Sequence, residues 1–219
     1  MIIVGICGGS GSGKSTFAER IRDGLSCSCE IMRLDCYYFD QGGKPFEERT
    51  KVNYDSPKIF DFDEMLADIR LLIDGKPVTR KGYNYVEHRR DDSEELMYPP
   101  EVLIIEGIHV FYDDRICDAM NLKLFIKVDS DICLLRRIAR DMNERGRSLE
   151  SISEQYKATV KPMREKYIDR YIDKADVVVM RGGMNEQALK TTISYLKSCV
   201  KEQRLAESEK NESDGNDSE

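Results

Sequence analysis

Lys14 and Ser15 close the run Gly8-Gly9-Ser10-Gly11-Ser12-Gly13-Lys14-Ser15, whose residue types and spacing suit phosphate chemistry. Gly8, Gly11 and Gly13 can take backbone angles that aim consecutive N–H groups inward, where no Cβ blocks an anion. An apolar run of strand length, Ile2 to Ile6, precedes the loop. Phe17, Ala18, Ile21 and Leu25 follow it on one face of a helix. Strand, glycine-rich loop and helix are the context that the pattern G-x-x-x-x-G-K-[ST] requires. In that context Lys14 reaches the β- and γ-phosphates of a nucleoside triphosphate, Ser15 sits on Mg²⁺, and Thr16 is counted with the loop. The helix N-terminus adds its positive end.

Phosphoryl transfer also needs an acceptor, a base and groups that stabilise moving charge. Asp35 follows the second apolar run, where a carboxylate can orient an acceptor hydroxyl and take its proton. A turn or cap aspartate is the other reading at that position, and the rings of Tyr37 and Tyr38 beside it favour a site. Glu106 ends the apolar run Val102–Ile105, the place of an acidic residue that holds Mg²⁺ directly or through water. Arg136, Arg137 and Arg140 stand at helical spacings, and Arg145-Gly146-Arg147 follows. Five arginines with few acidic partners form a local positive field, and guanidinium forks pair with phosphate oxygens. Gly146 suits a hinge or helix end, as a closing lid needs.

These groups must be carried by a scaffold. Besides Ile2–Ile6, the segments Glu30–Leu34, Val102–Ile105, Leu122–Ile126 and Asp176–Met180 are apolar runs of strand length. Helical patterns fall at Phe17–Leu25, Asp61–Asp74, Asp131–Arg145, Leu149–Asp169 and Glu186–Lys201. The alternation predicts an α/β fold of the P-loop NTPase type, a parallel five-stranded sheet with helices on both faces. Ligands in such sheets lie beyond the C-terminal strand ends. The interval 76–100 breaks the rhythm: two short β segments around the charged Glu87–Glu95 stretch would make a projecting hairpin carrying Tyr83, Tyr85 and His88. On pattern alone it is either a surface hairpin with incidental aromatics or part of the site.

Net charge is −7, but the last nineteen residues hold seven acidic and three basic side chains, so residues 1–200 carry only about −3. That balance argues against a nucleic-acid partner. Seven cysteines, none in a C-x-x-C pair, read as free thiols in a reducing cytoplasm. No run approaches the ~20 apolar residues of a membrane span. From 202 to 219 the composition is acidic and nearly free of apolar residues, which predicts a disordered tail behind a domain at 1–201.

Taken in order, these segments resemble the uridine kinases (uridine–cytidine kinases) of the phosphoribulokinase/uridine kinase group. The resemblance covers about 2–197 and rests on the phosphate loop, Asp35-Cys36-Tyr37-Tyr38, Asn53-Tyr54-Asp55-Ser56-Pro57 and Tyr83-Asn84-Tyr85-Val86-Glu87-His88. It rests as well on Ile105-Glu106-Gly107-Ile108, Arg136-Arg137-Ile138-Ala139-Arg140-Asp141, Glu144-Arg145-Gly146-Arg147 and the stretch Asp176 to Gly183. It implies a nucleoside-kinase-like domain with the hairpin at about 76–100 and a lid at about 136–160. Asp35 would be the general base facing a ribose 5′-hydroxyl. Tyr38, Asp55 and Arg137 would line the nucleoside pocket, Tyr83 and His88 would discriminate a pyrimidine base, and Arg147 with Gln155 would complete it. Arg140 and Arg145 would contact phosphate from the lid; Ser15 and Glu106 would handle Mg²⁺. Uridine or cytidine as acceptor, ATP or GTP as donor, inhibition by UTP and CTP, and a homotetramer are implied with them. The chain departs from the family where proline is usual two residues before the base-reading tyrosine; Lys81 stands there, followed by Gly82. The rival readings are another small-molecule kinase of the group, acting on ribulose phosphate or pantothenate, and a regulatory nucleotide-binding NTPase.

Overall fold

The computed structural model describes residues 1–216, with side chains described through 209. In chain order the elements are β1 (Ile2–Gly8), α1 (Lys14–Gly24), β2 (Cys29–Arg33), α2 (Phe46–Arg49), α3 (Phe62–Ile73), β3 (Val78–Asn84) and β4 (Arg89–Met97). There follow β5 (Val102–Glu106), α4 (Asp114–Asp118), β6 (Leu122–Lys127), α5 (Ser130–Arg145), α6 (Leu149–Gln155), α7 (Lys161–Lys166), β7 (Val177–Met180) and α8 (Glu186–Asn216). Five strands form one parallel sheet in the order β2-β5-β1-β6-β7, and β3 pairs with β4 as an antiparallel hairpin.

Alternation along β1 explains why both faces are covered. Ile2, Val4 and Ile6 join Ile104, Leu124 and Ile126 against Phe17, Ala18 and Ile21 of α1 and Leu189 and Leu196 of α8. Ile3 and Cys7 point the other way, into a core with Leu103, Ile105 and Phe125 under Met65, Ile69 and Leu72 of α3. A strand buried on both sides has no polar face to spare, hence the continuous apolar runs. Asp61 caps α3 by accepting from the Glu64 amide at 2.9 Å.

Three local expectations are revised. Leu149–Asp169 is not one regular α-helix: it contains a wide π turn at Tyr156–Val160, just ahead of Pro162, which has no N–H to donate to a regular ladder, and after Lys166 it passes through Tyr167 into a 3-10 helix at Ile168–Lys174. In the hairpin the charged residues 89–95 form the second strand, and the turn is Tyr85–His88, closed by the Asn84 side chain accepting from the amides of Val86 and Glu87 at 3.0 and 2.9 Å. The charges are tolerated because both faces of that strand are largely open. Pairing shifts between Lys81 and Tyr83, at Gly82, where a Cβ would come within 2.8 Å of Asp91 Oδ2.

The third concerns the tail: α8 continues through residues 202–216, where composition predicts disorder. Its Glu, Lys, Gln, Arg, Leu and Ala are strong helix formers. Arg204 also anchors the helix to the sheet by donating to both carboxylate oxygens of Glu101 at 2.6 and 2.9 Å. The rest of the predicted tail, 217–219, lies outside the described residues. Among the described residues all seven cysteines are free thiols, and no helix is long and apolar enough to cross a membrane.

Candidate active site

The sheet register gathers the first groups. Arg33 and Ile6 both pair with Glu106, so the last residues of β2 and β5 lie beside the end of β1, from which the glycine loop departs. Gly11 and Gly13 have φ of 82° and 93°, and a Cβ on Gly11 would stand 2.3 Å from the Cys133 carbonyl oxygen. Only glycine allows that path. Lys14 opens α1, and its buried ammonium donates to the Gly9 carbonyl at 3.1 Å. Ser15 donates to Glu106 Oε1 at 2.9 Å, and Arg33 Nε lies 3.7 Å from the same oxygen. Burial pushes the Glu106 carboxyl up, while Lys14 and the Ser15 hydroxyl pull it the other way.

Asp35 sits in the short 3-10 turn after β2, and the Tyr85 hydroxyl donates to its Oδ2 at 2.5 Å. Tyr38, the residue after that turn, is buried among rings: Phe60 stacks on it at 4.3 Å, and Tyr83 and Tyr54 stand at 4.6 and 5.5 Å. His88 stacks on Tyr54 at 5.2 Å. It takes a positive φ of 51° in the hairpin turn, which a residue with a Cβ tolerates only at a cost. Burial, with Arg147 and Arg49 nearby, holds its imidazole below the ordinary range.

Asp55 faces the same space as Tyr54 and His88. Its Oδ2 accepts from Thr159 at 2.8 Å, and Arg137 Nη1 lies 3.9 Å from Oδ1. Arg137 also donates to Ser10 Oγ at 3.1 Å and to Gln155 Oε1 at 3.0 Å. Arg147 shares Gln155 as an acceptor. Arg140, Arg145 and Arg147 gather with Arg137 around Asp141, which is fully buried.

One cavity of about 610 Å³ joins these groups. It is lined by Ser10, Gly11, Gly13, Lys14, Ser15 and Thr16; by Asp35, Tyr38, Asp55, Tyr83, His88 and Glu106; and by Arg137, Arg140, Arg145, Arg147 and Gln155. Gly8, Gly9 and Ser12, expected to hold the nucleotide, do not line it. Arg136, one of the five arginines of the positive field, and Tyr85 of the hairpin line it as well, and so do Arg33 and Tyr54, for which no role was expected from the sequence. Nor was one expected for Asp141, whose signal is its spacing of four from both Arg137 and Arg145, or for Thr159. His109 is fully buried behind the pocket, bridging the Asp55 carbonyl at 2.7 Å and the Tyr171 hydroxyl at 3.0 Å. The glycine loop, the Asp35 carboxylate, the aromatic rings and the guanidinium cluster share one space, and transfer between two bound substrates requires donor and acceptor groups in one space.

Comparison with known proteins agrees. The family described as Phosphoribulokinase / Uridine kinase family matches residues 3–188. A protein named uridine kinase from Ligilactobacillus salivarius (strain UCC118) is 41% identical over 201 residues, covering 91% of this chain and 94% of its own. Another of that name, from Streptococcus pyogenes serotype M5 (strain Manfredo), is 42% identical over 202 residues, covering 92% of this chain and 97% of its own. The solved structure of phosphoribulokinase from Rhodobacter spheroides shares the fold, with a TM-score of 0.58 at 13% identity over 82% of this chain and 69% of that one. By the extent of these matches, the chain belongs to the phosphoribulokinase/uridine kinase family.

Proposed function

We propose that this chain transfers the γ-phosphoryl group of ATP to the 5′-hydroxyl of uridine or cytidine, giving UMP or CMP. The observation that carries the reading is the single cavity in which the phosphate loop faces Asp35, the Asp55–Arg137 pair and the hairpin aromatics. The uridine kinase relatives, similar over more than nine-tenths of the chain, support the choice of acceptor.

In this reading the loop amides and Lys14 hold the triphosphate with its terminal phosphoryl toward the acceptor. Asp55 and Arg137 take the ribose hydroxyls, Tyr83 and His88 read the pyrimidine, and Arg147 with Gln155 closes that pocket around Tyr38. Asp35 accepts the proton of the 5′-hydroxyl as its oxygen bonds to phosphorus and the ADP oxygen leaves. Arg140 and Arg145 neutralise charge on the moving group, and the closed lid keeps out water that would hydrolyse ATP. Mg²⁺ fits the Ser15–Glu106 pair, a hydroxyl and a buried carboxylate oxygen 2.9 Å apart. Among the described residues no three His, Cys, Asp or Glu converge on a metal position, as suits an ion that keeps waters and substrate phosphates as ligands. When bound, the ion would offset charge on the β- and γ-oxygens.

The same reading extends to GTP as an alternative donor, feedback inhibition by UTP and CTP, a homotetrameric assembly and pyrimidine salvage in the cytoplasm. Incubation with Mg·ATP and uridine tests its core. UMP and ADP should form in equal amounts, and a product phosphorylated at the 2′- or 3′-oxygen would contradict it.

A further inference from the structure

We propose that Tyr85 is a positioning residue for Asp35, holding one carboxylate oxygen so that the other faces the acceptor hydroxyl, with Arg145 tying that arrangement to the lid. It rests on the uridine kinase reading, in which Asp35 is the base. An ionised carboxylate only accepts hydrogen bonds, and it has two oxygens with which to do so. The Tyr85 phenol donates to Oδ2 at 2.5 Å, a charge-assisted bond of the stronger kind. That fixes the plane of the group and leaves Oδ1 for the incoming hydroxyl. Asp35 stands on a turn just past a strand, and Tyr85 reaches it from the hairpin fifty residues away.

Tyr85 is held in turn from the other side. The Arg145 guanidinium lies 4.0 Å from the centre of its ring, well within cation–π range. Arg145 is the last residue of α5 and reaches Asp141 at 3.4 Å. The Tyr83 ring meets the Tyr85 ring edge-on at 5.2 Å. Hairpin, β2 turn and lid therefore converge on one side chain that reads no base and touches no phosphate in the proposed mechanism. Withdrawal of Arg145 would free the ring, and with it the orientation of Asp35.

Tyr85→Phe keeps the ring against Arg145 and removes only the hydroxyl. Steady-state kinetics with ATP and uridine would be compared for wild type and Tyr85→Phe, and radiolabelled single-turnover rates for both changes in an Asp35→Ala background. Loss of orientation should lower kcat about tenfold, a part of the roughly 10²- to 10⁴-fold that general-base catalysis contributes, with both KM values within about twofold. In the Asp35→Ala background the same change should alter the residual rate less than about twofold, because the hydroxyl has nothing left to hold. Unchanged kcat in Tyr85→Phe overturns the proposal, as does raised kcat, which would make the bond a block rather than a brace. Equal losses in both backgrounds overturn it too. A wild type that forms no UMP overturns the kinase reading and the proposal together; an active wild type with an indifferent Tyr85→Phe removes the proposal alone.

Discussion

Arg140 donates to the Asp141 carboxylate through Nε at 3.0 Å and Nη2 at 2.8 Å, and that carboxylate has no exposure to solvent. Arg137, Arg145 and Arg147 approach the same group at 3.5, 3.4 and 3.6 Å. One acidic side chain thus holds four guanidinium groups in place and still leaves the cluster strongly positive, as a triphosphate site needs. Long arginine side chains would otherwise spread apart in water.

Removing that counter-charge should destabilise the lid. Breaking a buried ionic cluster by deleting one partner costs about 3–5 kcal/mol. For a chain of this size Asp141→Ala should therefore melt roughly 6–20 °C lower by calorimetry, and saturating ATP should recover part of the loss. A melting temperature within about 2 °C of wild type would show that the arginines need no such centre.

Asp35→Asn preserves shape but cannot accept the acceptor's proton. Turnover should fall about 10²- to 10⁴-fold while ATP affinity, measured by calorimetric titration, stays within about threefold. Near-normal turnover would take the base role away from Asp35.

Tyr83→Ala and His88→Ala should each raise the nucleoside KM about tenfold or more and leave the ATP KM nearly unchanged, since both rings pack on the Tyr38–Tyr54 side of the cavity. Equal effects on both KM values would place these residues outside the nucleoside pocket. Burial and the neighbouring arginines lower the His88 pKa, so the imidazole is less protonated near the usual His midpoint than a free one. The nucleoside KM should then change less between about pH 8 and about pH 6.5 than an unshifted imidazole in that place would make it, and a rise of the full size expected for an unshifted His would contradict this.

His109 gives the stability profile an acid slope. Burial holds its pKa down to about 4, against about 6.5 in the unfolded chain. Between those values the unfolded chain binds a proton that the folded chain refuses, so stability falls as pH drops from about 6.5 to about 4, by roughly 3 kcal/mol from this group. Urea melts of wild type and His109→Gln across that window should differ in slope, the variant being flatter. Parallel curves would show that His109 carries a proton in the fold.

The place of the glycine loop between β1 and α1 was legible because its pattern is written in eight consecutive residues. That Glu106 and the arginines reach one cavity was legible because strand ends and helical spacing are local patterns. Asp141 was harder: the helical spacing relates it to its arginines, but only packing turns a solvated charged face into a buried cluster. Thr159 meets Asp55 across 104 residues and Tyr85 meets Asp35 across fifty, and no pattern in the chain encodes either contact. The tail misled because scarce apolar residues are read as disorder, whereas Arg204 clamping Glu101 and a run of good helix formers extend α8 instead.

The most direct test is acceptor-dependent ADP release from Mg·ATP, measured with uridine, cytidine, ribulose phosphate, pantothenate or no acceptor. Release should require a pyrimidine nucleoside and match UMP or CMP formation mole for mole. Release of equal rate without acceptor, or driven only by ribulose phosphate or pantothenate, would contradict a nucleoside kinase.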